Sequence, residues 1–245
     1  MDEPAIVLSG DERPGPPVLR RGSAVHRPTG AGSELMAALL VHLEEVGFDQ
    51  APRFLGVDDG HHMVSFVEGE TFANPPWQED DAANATALGE LARLLRRLHE
   101  ATADFAPPPG LEPLRPLPLA GPTWTHGDGG YANVVYRSGE PVALIDWEFA
   151  APGAPIADPA ALLAVSTRGP KPHVDDNDRR AAALHRAAEA IASGYGIDDL
   201  AALYRSASVV LDDAADYWEQ LGSSPSNVEV ARWRSQWLQE HVRGA

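Results

Sequence analysis

The stretch THGDGGYANVVYRSGEPVALIDWE, residues 125–148, sets five polar groups among glycines and β-formers. His126, Asp128 and Asn133 fall on or beside a glycine-rich loop. The apolar run VALI then delivers Asp146 to the mouth of a strand, with Glu148 just beyond. NVVYR and PVALID read as a hairpin around SGE. An amide oxygen from Asn133 and a rigidly held Asp146 carboxylate suit Mg2+, a hard ion that takes oxygen ligands and completes its shell with water and phosphates. Asp128 then becomes the carboxylate beside an acceptor hydroxyl. Phosphoryl transfer asks mainly for in-line positioning and for charge stabilisation on the phosphates. The plain alternatives are a loop-capping Asp at 128 and a turn-forming Asn at 133.

At 245 residues the chain can bury a sizeable core as one domain or two small ones. Its start, MDEPAIVLSGDERPG, is acidic and lacks the basic and apolar regions of a secretory signal. No uncharged apolar run approaches the roughly 18 residues of a membrane span. Without Cys there is no disulfide framework and no thiolate metal site. A soluble, cytoplasmic protein is expected. Acids outnumber bases 36 to 19, for a formal charge of −17. That balance opposes binding to nucleic acid or to an anionic membrane and suits a cationic ligand, although acidity also serves solubility alone.

Residues 7–27 alternate short apolar pieces with Gly and Pro, as short strands and turns do. In SELMAALLVHLEEVGF, Leu35, Leu39, Leu40 and Leu43 recur at helical spacing, with Ser33 as N-cap and Gly47 as stop. APRFLGVDDGHHMVSFVEGE reads as two strands around a DDG turn, with His61 and His62 in that turn. A long helix follows, with Leu88, Leu91, Leu94, Leu95 and Leu98 on one face and Arg93, Arg96 and Arg97 outside it. Residues 106–122, APPPGLEPLRPLPLAGP, are too proline-rich for a helix or a central strand. Beyond Asp158 the chain reads as mostly helical, interrupted by the loop TRGPKPHVDDND at 167–178.

HGDGGYAN fits the H-x-D-x-x-x-x-N catalytic loop of kinases, and IDWE stands where a kinase has its metal-binding D-F-G. The glycine of HGD resembles the aminoglycoside phosphotransferase family more than the protein kinases, which place Arg there. EEVGFDQAPRFLGVDD, VSFVEGE, LGELARLLRRLHEA and PGAPIADPAALL are similar, in order, to that family's helix-to-strand passage, hinge, long helix and post-metal segment.

The resemblance implies an α+β, two-lobed, protein-kinase-like fold. A small antiparallel-sheet N-lobe with one helix would span residues 1–68, and a larger, mainly helical C-lobe residues 69–245. ATP (or GTP) would lie between them with Mg2+ held by Asn133 and Asp146. Asp128 would be the catalytic base, and Ser65, Phe66 and Val67 the hinge. Asp158 would hydrogen-bond the catalytic-loop backbone, while His126 supports the loop structurally. Glu148 would ligate a second metal, touch substrate or face water.

Two features depart from the family pattern. Lys171, in the 167–178 loop, is the only lysine, and Arg27 of AVHRP aligns with the family's small-lobe lysine, with Glu34 or Met36 at the position of its helix acid. The stretch LSGDERPGPP offers Gly10 and Gly15 but no G-x-G-x-x-G, and its prolines lack the N–H groups that cradle phosphate.

The acceptor is expected beside Asp128. Asp212, Asp216 and Glu219 share one helix face opposite a stripe of Leu203, Ala207, Val210, Leu211, Ala214 and Trp218. Acids lining a cleft would recognise an amine-rich molecule, with Tyr217 adding cation–π contact. The null case is an exposed acidic face without a ligand, and Trp218, Trp233 and Trp237 read as core. The expectation is therefore an O-phosphotransferase for a small cationic hydroxyl compound, such as an aminoglycoside or related antibiotic, acting in resistance. The alternatives are a metabolic kinase of choline, ethanolamine, a sugar or a hydroxy-amino acid, and a non-catalytic pseudokinase. A metal-dependent hydrolase would need a denser His or carboxylate cluster. The number of metal ions and the oligomeric state are left open.

Overall fold

Short β-branched runs separated by turns build the first half. The computed structural model describes residues 5–9, 17–165, 175 and 177–241. β1 (Ile6–Ser9), β2 (Val18–Arg21), β3 (Ala24–Pro28), β4 (Phe54–Asp58) and β5 (His61–Ser65) form one antiparallel sheet in the order β1-β2-β3-β5-β4. Alternation along β5 buries His62 and Val64, and their cross-strand partners on β3 are Arg27 and Val25. Directly paired residues share a sheet face, so Arg27 stands on the same side as apolar Val25, which packs against the core. His61 and His62 thus belong to strand β5, not to the expected turn. The two residues Asp59 and Gly60 suffice to reverse the chain, which leaves both histidines in the ladder.

α1 (Ser33–Glu45) packs Leu35, Met36, Leu39, Leu40 and Leu43 beneath the sheet's end of the core. Ser33 begins the helix instead of capping it. Its hydroxyl accepts from the Gly30 N–H behind it at 2.9 Å, and Gly32 takes the cap position without a side-chain bond. The helix stops as expected at Gly47, where the Phe48 N–H returns to the Leu43 carbonyl at 2.8 Å.

α2 (Asp81–Ala101) starts seven residues before Leu88, the first leucine of its stripe, because the Asp80 carboxylate caps the N–H groups of Ala82 and Ala83. Leu88, Leu91, Leu94, Leu95 and Leu98 are fully buried, while Arg93, Arg96 and Arg97 are exposed. The proline-rich connector is irregular, as its missing donors require. It leads to β6 (Thr123–Thr125), the hairpin β7 (Val134–Arg137) and β8 (Glu140–Leu144), and β9 (Ala151–Gly153), which pairs with β6. α3 (Ala157–Val165), α4 (Asn177–Tyr195), α5 (Leu200–Gln220) and α6 (Pro225–His241) follow. The stripe buried on α5 is Leu203, Tyr204, Ala207, Ser208, Leu211 and Ala215, rotated from the expected one because α5 packs against both α3 and α6. Val210 and Trp218 remain half-buried against the core, as does Trp237 of α6, while Ala214 and Trp233 are half-buried.

Gly10, Gly15 and Lys171 lie outside the described residues, as do most of the glycine loop and of the 167–178 loop. Among the described residues no helix is long and apolar enough to cross a membrane.

α2 and α4 cross at paired glycines. A Cβ built on Gly194 would sit 2.3 Å from the carbonyl oxygen of Gly89, so the crossing distance exists only because neither helix carries a side chain there. Gly194→Ala forces the helices apart and lowers stability by about 2–3 kcal/mol. A urea unfolding curve with an unchanged midpoint would refute that packing argument.

Candidate active site

One buried carboxylate organises the loop. Asp158, in the first turn of α3, is 1% exposed, and both of its oxygens are engaged. Oδ2 accepts the His126 N–H at 2.8 Å and the imidazole Nε2 of His99 at 2.9 Å, and Oδ1 accepts the Gly127 N–H at 2.9 Å. Burial alone would raise its pKa. The hydrogen bond and nearby imidazole of His99, together with the His126 N–H, outweigh burial and hold Asp158 below the ordinary carboxylate range. His99 extends the chain to the Tyr195 hydroxyl at 2.6 Å, and that hydroxyl is itself pushed up to about 12 by burial and by Asp158.

His126 is fully buried, and desolvation holds its imidazole below the usual value, hence neutral. Nε2–H donates to the Ile145 carbonyl at 3.0 Å, and Nδ1 accepts the Asp128 N–H at 3.3 Å. A single neutral tautomer satisfies both contacts. The Trp147 ring packs on the imidazole at 4.6 Å between centroids. Gly127 has φ +78°, and a Cβ there would meet the Phe149 carbonyl oxygen at 2.2 Å. No side chain fits between His126 and Asp128.

Asp128 and Asn133 are brought together. The Asn133 amide nitrogen donates to the Asp128 backbone oxygen and to its Oδ2, both at 2.8 Å. The amide oxygen is therefore the atom left for a cation. The Asn133 carbonyl also accepts the Ile145 N–H at 2.9 Å, which ties this loop to the strand end that bears Asp146. Asp146 adopts a left-handed conformation, φ 66°, which costs a residue with a Cβ roughly 1–2 kcal/mol. Arg27 reaches it from β3 and pairs with its Oδ1, and Glu148 stands 3.9 Å from the same guanidinium. The expected lysine replacement therefore meets the expected metal carboxylate. Exposed Glu34 and buried Met36 are not its recorded partners.

The donor set of Asn133 amide oxygen and Asp146 carboxylate fits Mg2+, provided Arg27 yields its contact to the incoming charge. Among the described residues no group of three or more His, Asp or Glu is arranged to hold a metal.

The Ser65 and Phe66 N–H groups are already bonded within the small lobe, to the carbonyls of Arg53 at 2.8 Å and Ser23 at 2.7 Å. Arg20 lies 3.5 Å above the Phe66 ring. A nucleobase would then have to use carbonyl groups or Val67. On α5, Asp216 and Glu219 share Arg232 of α6 at 2.8 and 2.9 Å on an exposed surface, and Asp212 is half-buried. The acid of this helix that reaches toward the catalytic loop's surroundings is Asp213, paired with Arg115 of the connector. A cavity of about 870 Å³ opens between the start of α2, the β7–β8 hairpin and Asp49–Gln50, and none of Asp128, Asn133 or Asp146 lines it.

His99, Asp213, Arg115 and Phe149 escaped the sequence reading. His99 sits in LRRLHEA, where one polar residue on a leucine-rich face was the available signal.

Asp158→Ala strips two loop N–H groups and His99 of their acceptor, which is expected to remove about 3 kcal/mol of stability in denaturant titration. His62 supplies a pH effect. Burial first, then Arg27 and His61, depress its pKa from 6.5 to about 4. The stability contributed by the neutral ring is complete above pH 6.5 and is lost as the pH falls toward 4. His62→Phe should flatten the decline in stability across that window, and Arg27→Met should raise the His62 titration seen by NMR.

The phosphotransferase enzyme family model matches residues 4–121 and 111–195. Over 154 residues the chain is 40% identical to the trifolitoxin immunity protein of Rhizobium leguminosarum bv. trifolii, a match covering 60% of this chain and only 56% of that relative's length. An amicoumacin kinase in complex with AMP-PNP and Ca2+ superposes with a TM-score of 0.64 at 12% identity, over 97% of this chain and 88% of the other. An aminoglycoside phosphotransferase of Streptomyces rimosus, in complex with ADP and streptomycin, gives 0.52 at 21% identity, over 79% and 88%. At these identities the superpositions establish the fold, α+β and two-lobed like a protein kinase. The chain belongs to the phosphotransferase enzyme family.

Proposed function

We propose that the chain is an ATP- or GTP-using, Mg2+-dependent O-phosphotransferase. It would modify a hydroxyl of a small cationic antibiotic or toxin in the cytoplasm and so protect the cell. The observation that carries the reading is the double donation from the Asn133 amide to Asp128, which aims the carboxylate and frees the amide oxygen together. Likeness to a toxin-immunity protein and to kinases in complex with ADP or AMP-PNP supports it.

In this reading the lobes divide at residues 68 and 69, with the nucleotide between them and Ser65–Val67 at its base. Asp128 orients the acceptor hydroxyl and takes its proton. The acceptor oxygen forms a bond to the terminal phosphorus as the bond to the bridging oxygen breaks, and the nucleoside diphosphate leaves. Mg2+ held by Asn133 and Asp146 would supply positive charge on the phosphate oxygens. Arg27 turns from Asp146 to those oxygens, offering two donors where lysine offers a point charge. Neutral His126 and Asp158 hold the loop so that little reorganisation accompanies the step. Glu148, beside Asp146 and Arg27, adds negative charge for a cationic acceptor, whereas Asp216 is paired with Arg232 away from the loop.

The test is ADP or GDP release with Mg2+ across aminoglycosides, basic peptide antibiotics, choline and simple sugars. Acceptor-dependent release that falls by about a hundredfold or more in Asp128→Asn is the expected result. Turnover of choline or a sugar alone would move the assignment to a metabolic kinase. Release that Asp128→Asn leaves intact would remove Asp128 from the chemistry.

A further inference from the structure

The connector runs past Gly32 and Glu148 with alternate residues from Leu111 to Leu119 half-buried and those between them exposed. No side chain from 103 to 123 is fully buried. Phe105 and Leu119 pack partly against the core at either end, and the Leu119 carbonyl accepts the Ala154 N–H. Between them the chain runs past both lobes. A Cβ built on Gly32, at the start of α1, would touch the Leu114 backbone nitrogen at 3.5 Å and the Glu148 carbonyl at 3.9 Å. The next residue, Arg115, is the grip. Its guanidinium pairs with Asp213 and lies 4.7 Å from the centre of the Tyr217 ring.

Asp213 and Tyr217 are one helical turn apart on α5, so both point to one face. Tyr217 meets Phe149 edge-on at 6.1 Å, and the backbone of Phe149 is the wall that forbids a side chain at Gly127. A carboxylate and an aromatic face thus hold a planar cation, and Phe149 stands behind that ring, between it and the loop at Gly127. This is the environment in which a guanidinium gains both a charge-assisted bond and cation–π contact. Neighbouring acids are engaged elsewhere, Asp216 and Glu219 by Arg232, so Asp213 is the acid that meets the strap.

We propose that Asp213 and Tyr217, the latter backed by Phe149, form a guanidinium seat, that the chain's own Arg115 fills it, and that a guanidinium-bearing acceptor enters by displacing Arg115 and lifting the 106–118 strap. The proposal deepens the phosphotransferase reading and rests on it for the word acceptor. A segment with so few buried contacts opens at low cost. Because the seat is open only part of the time, the apparent affinity of any external guanidinium is reduced by that open fraction.

The experiment is calorimetric titration of the full chain with agmatine, without nucleotide, for the wild type, Arg115→Ala, Arg115→Gln, and Arg115→Ala combined with Asp213→Asn. The thermal midpoint of each variant is recorded. Both single variants should bind agmatine about tenfold or more tightly than the wild type, and the double variant should lose that gain. Arg115→Gln keeps most of the side chain's bulk and decides the matter if Arg115→Ala unfolds. Unchanged, weaker or undetectable binding in a folded Arg115 variant overturns the proposal, as does a gain that survives Asp213→Asn. Acceptor-dependent ADP release with unchanged agmatine affinity removes the seat alone. Tightened agmatine binding without any turnover removes the phosphotransferase reading alone.

Discussion

The carboxylate of Asp158 is the contact on which the site depends. It is a charge taken fully out of water, tolerable because every partner around it is a donor: two consecutive backbone N–H groups and an imidazole fixed by a tyrosine hydroxyl. Through these four donors one residue ties together α2, α3, the end of α4 and the catalytic loop. The loop is rich in glycine, and its own bonds, from the Asp128 N–H to His126 and from the Asn133 amide to Asp128, add to that support. Its shape is imposed from beneath, and with it the direction of Asp128.

The upper side of the site is set by strand register. Arg27 faces the cleft because β3 alternates and because it pairs with His62 across the ladder. A slip by one residue would bring His26 inward and turn Arg27 away. The cation is thus a consequence of sheet geometry, while its partner Asp146 is a consequence of a strand ending in a left-handed residue. The two halves of the molecule meet at this ion pair.

Much of the architecture was legible because it is written locally. Leucines at helical spacing gave α2, and the linear run from His126 to Glu148 gave the loop and the hairpin in order. Caps were less legible. Ser33 looks like an N-cap, yet its hydroxyl bonds backward to Gly30, a choice between two nearby N–H groups that composition does not record. Among partnerships across long separations, only that of Asp158 with the loop backbone was read, through the family resemblance. Arg115 and Asp213 are 98 residues apart, and His99 and Asp158 are 59 apart. The same blindness applied to the acids of α5. Helical periodicity grouped Asp212 with Asp216, but it could not say that α6 would bring Arg232 to one of them while the connector brought Arg115 to Asp213.

Arg27 also fixes the covalent chemistry of the cleft. Where the family pattern places a lysine, this chain carries a guanidinium. Such a group does not acylate under conditions that acetylate lysine, so the charge opposite Asp146 cannot be erased by acetyl transfer. Amine-directed nucleotide reagents that mark kinases by their cleft lysine have no target at position 27. In a proteome surveyed by such labels, this cleft would leave no signal there.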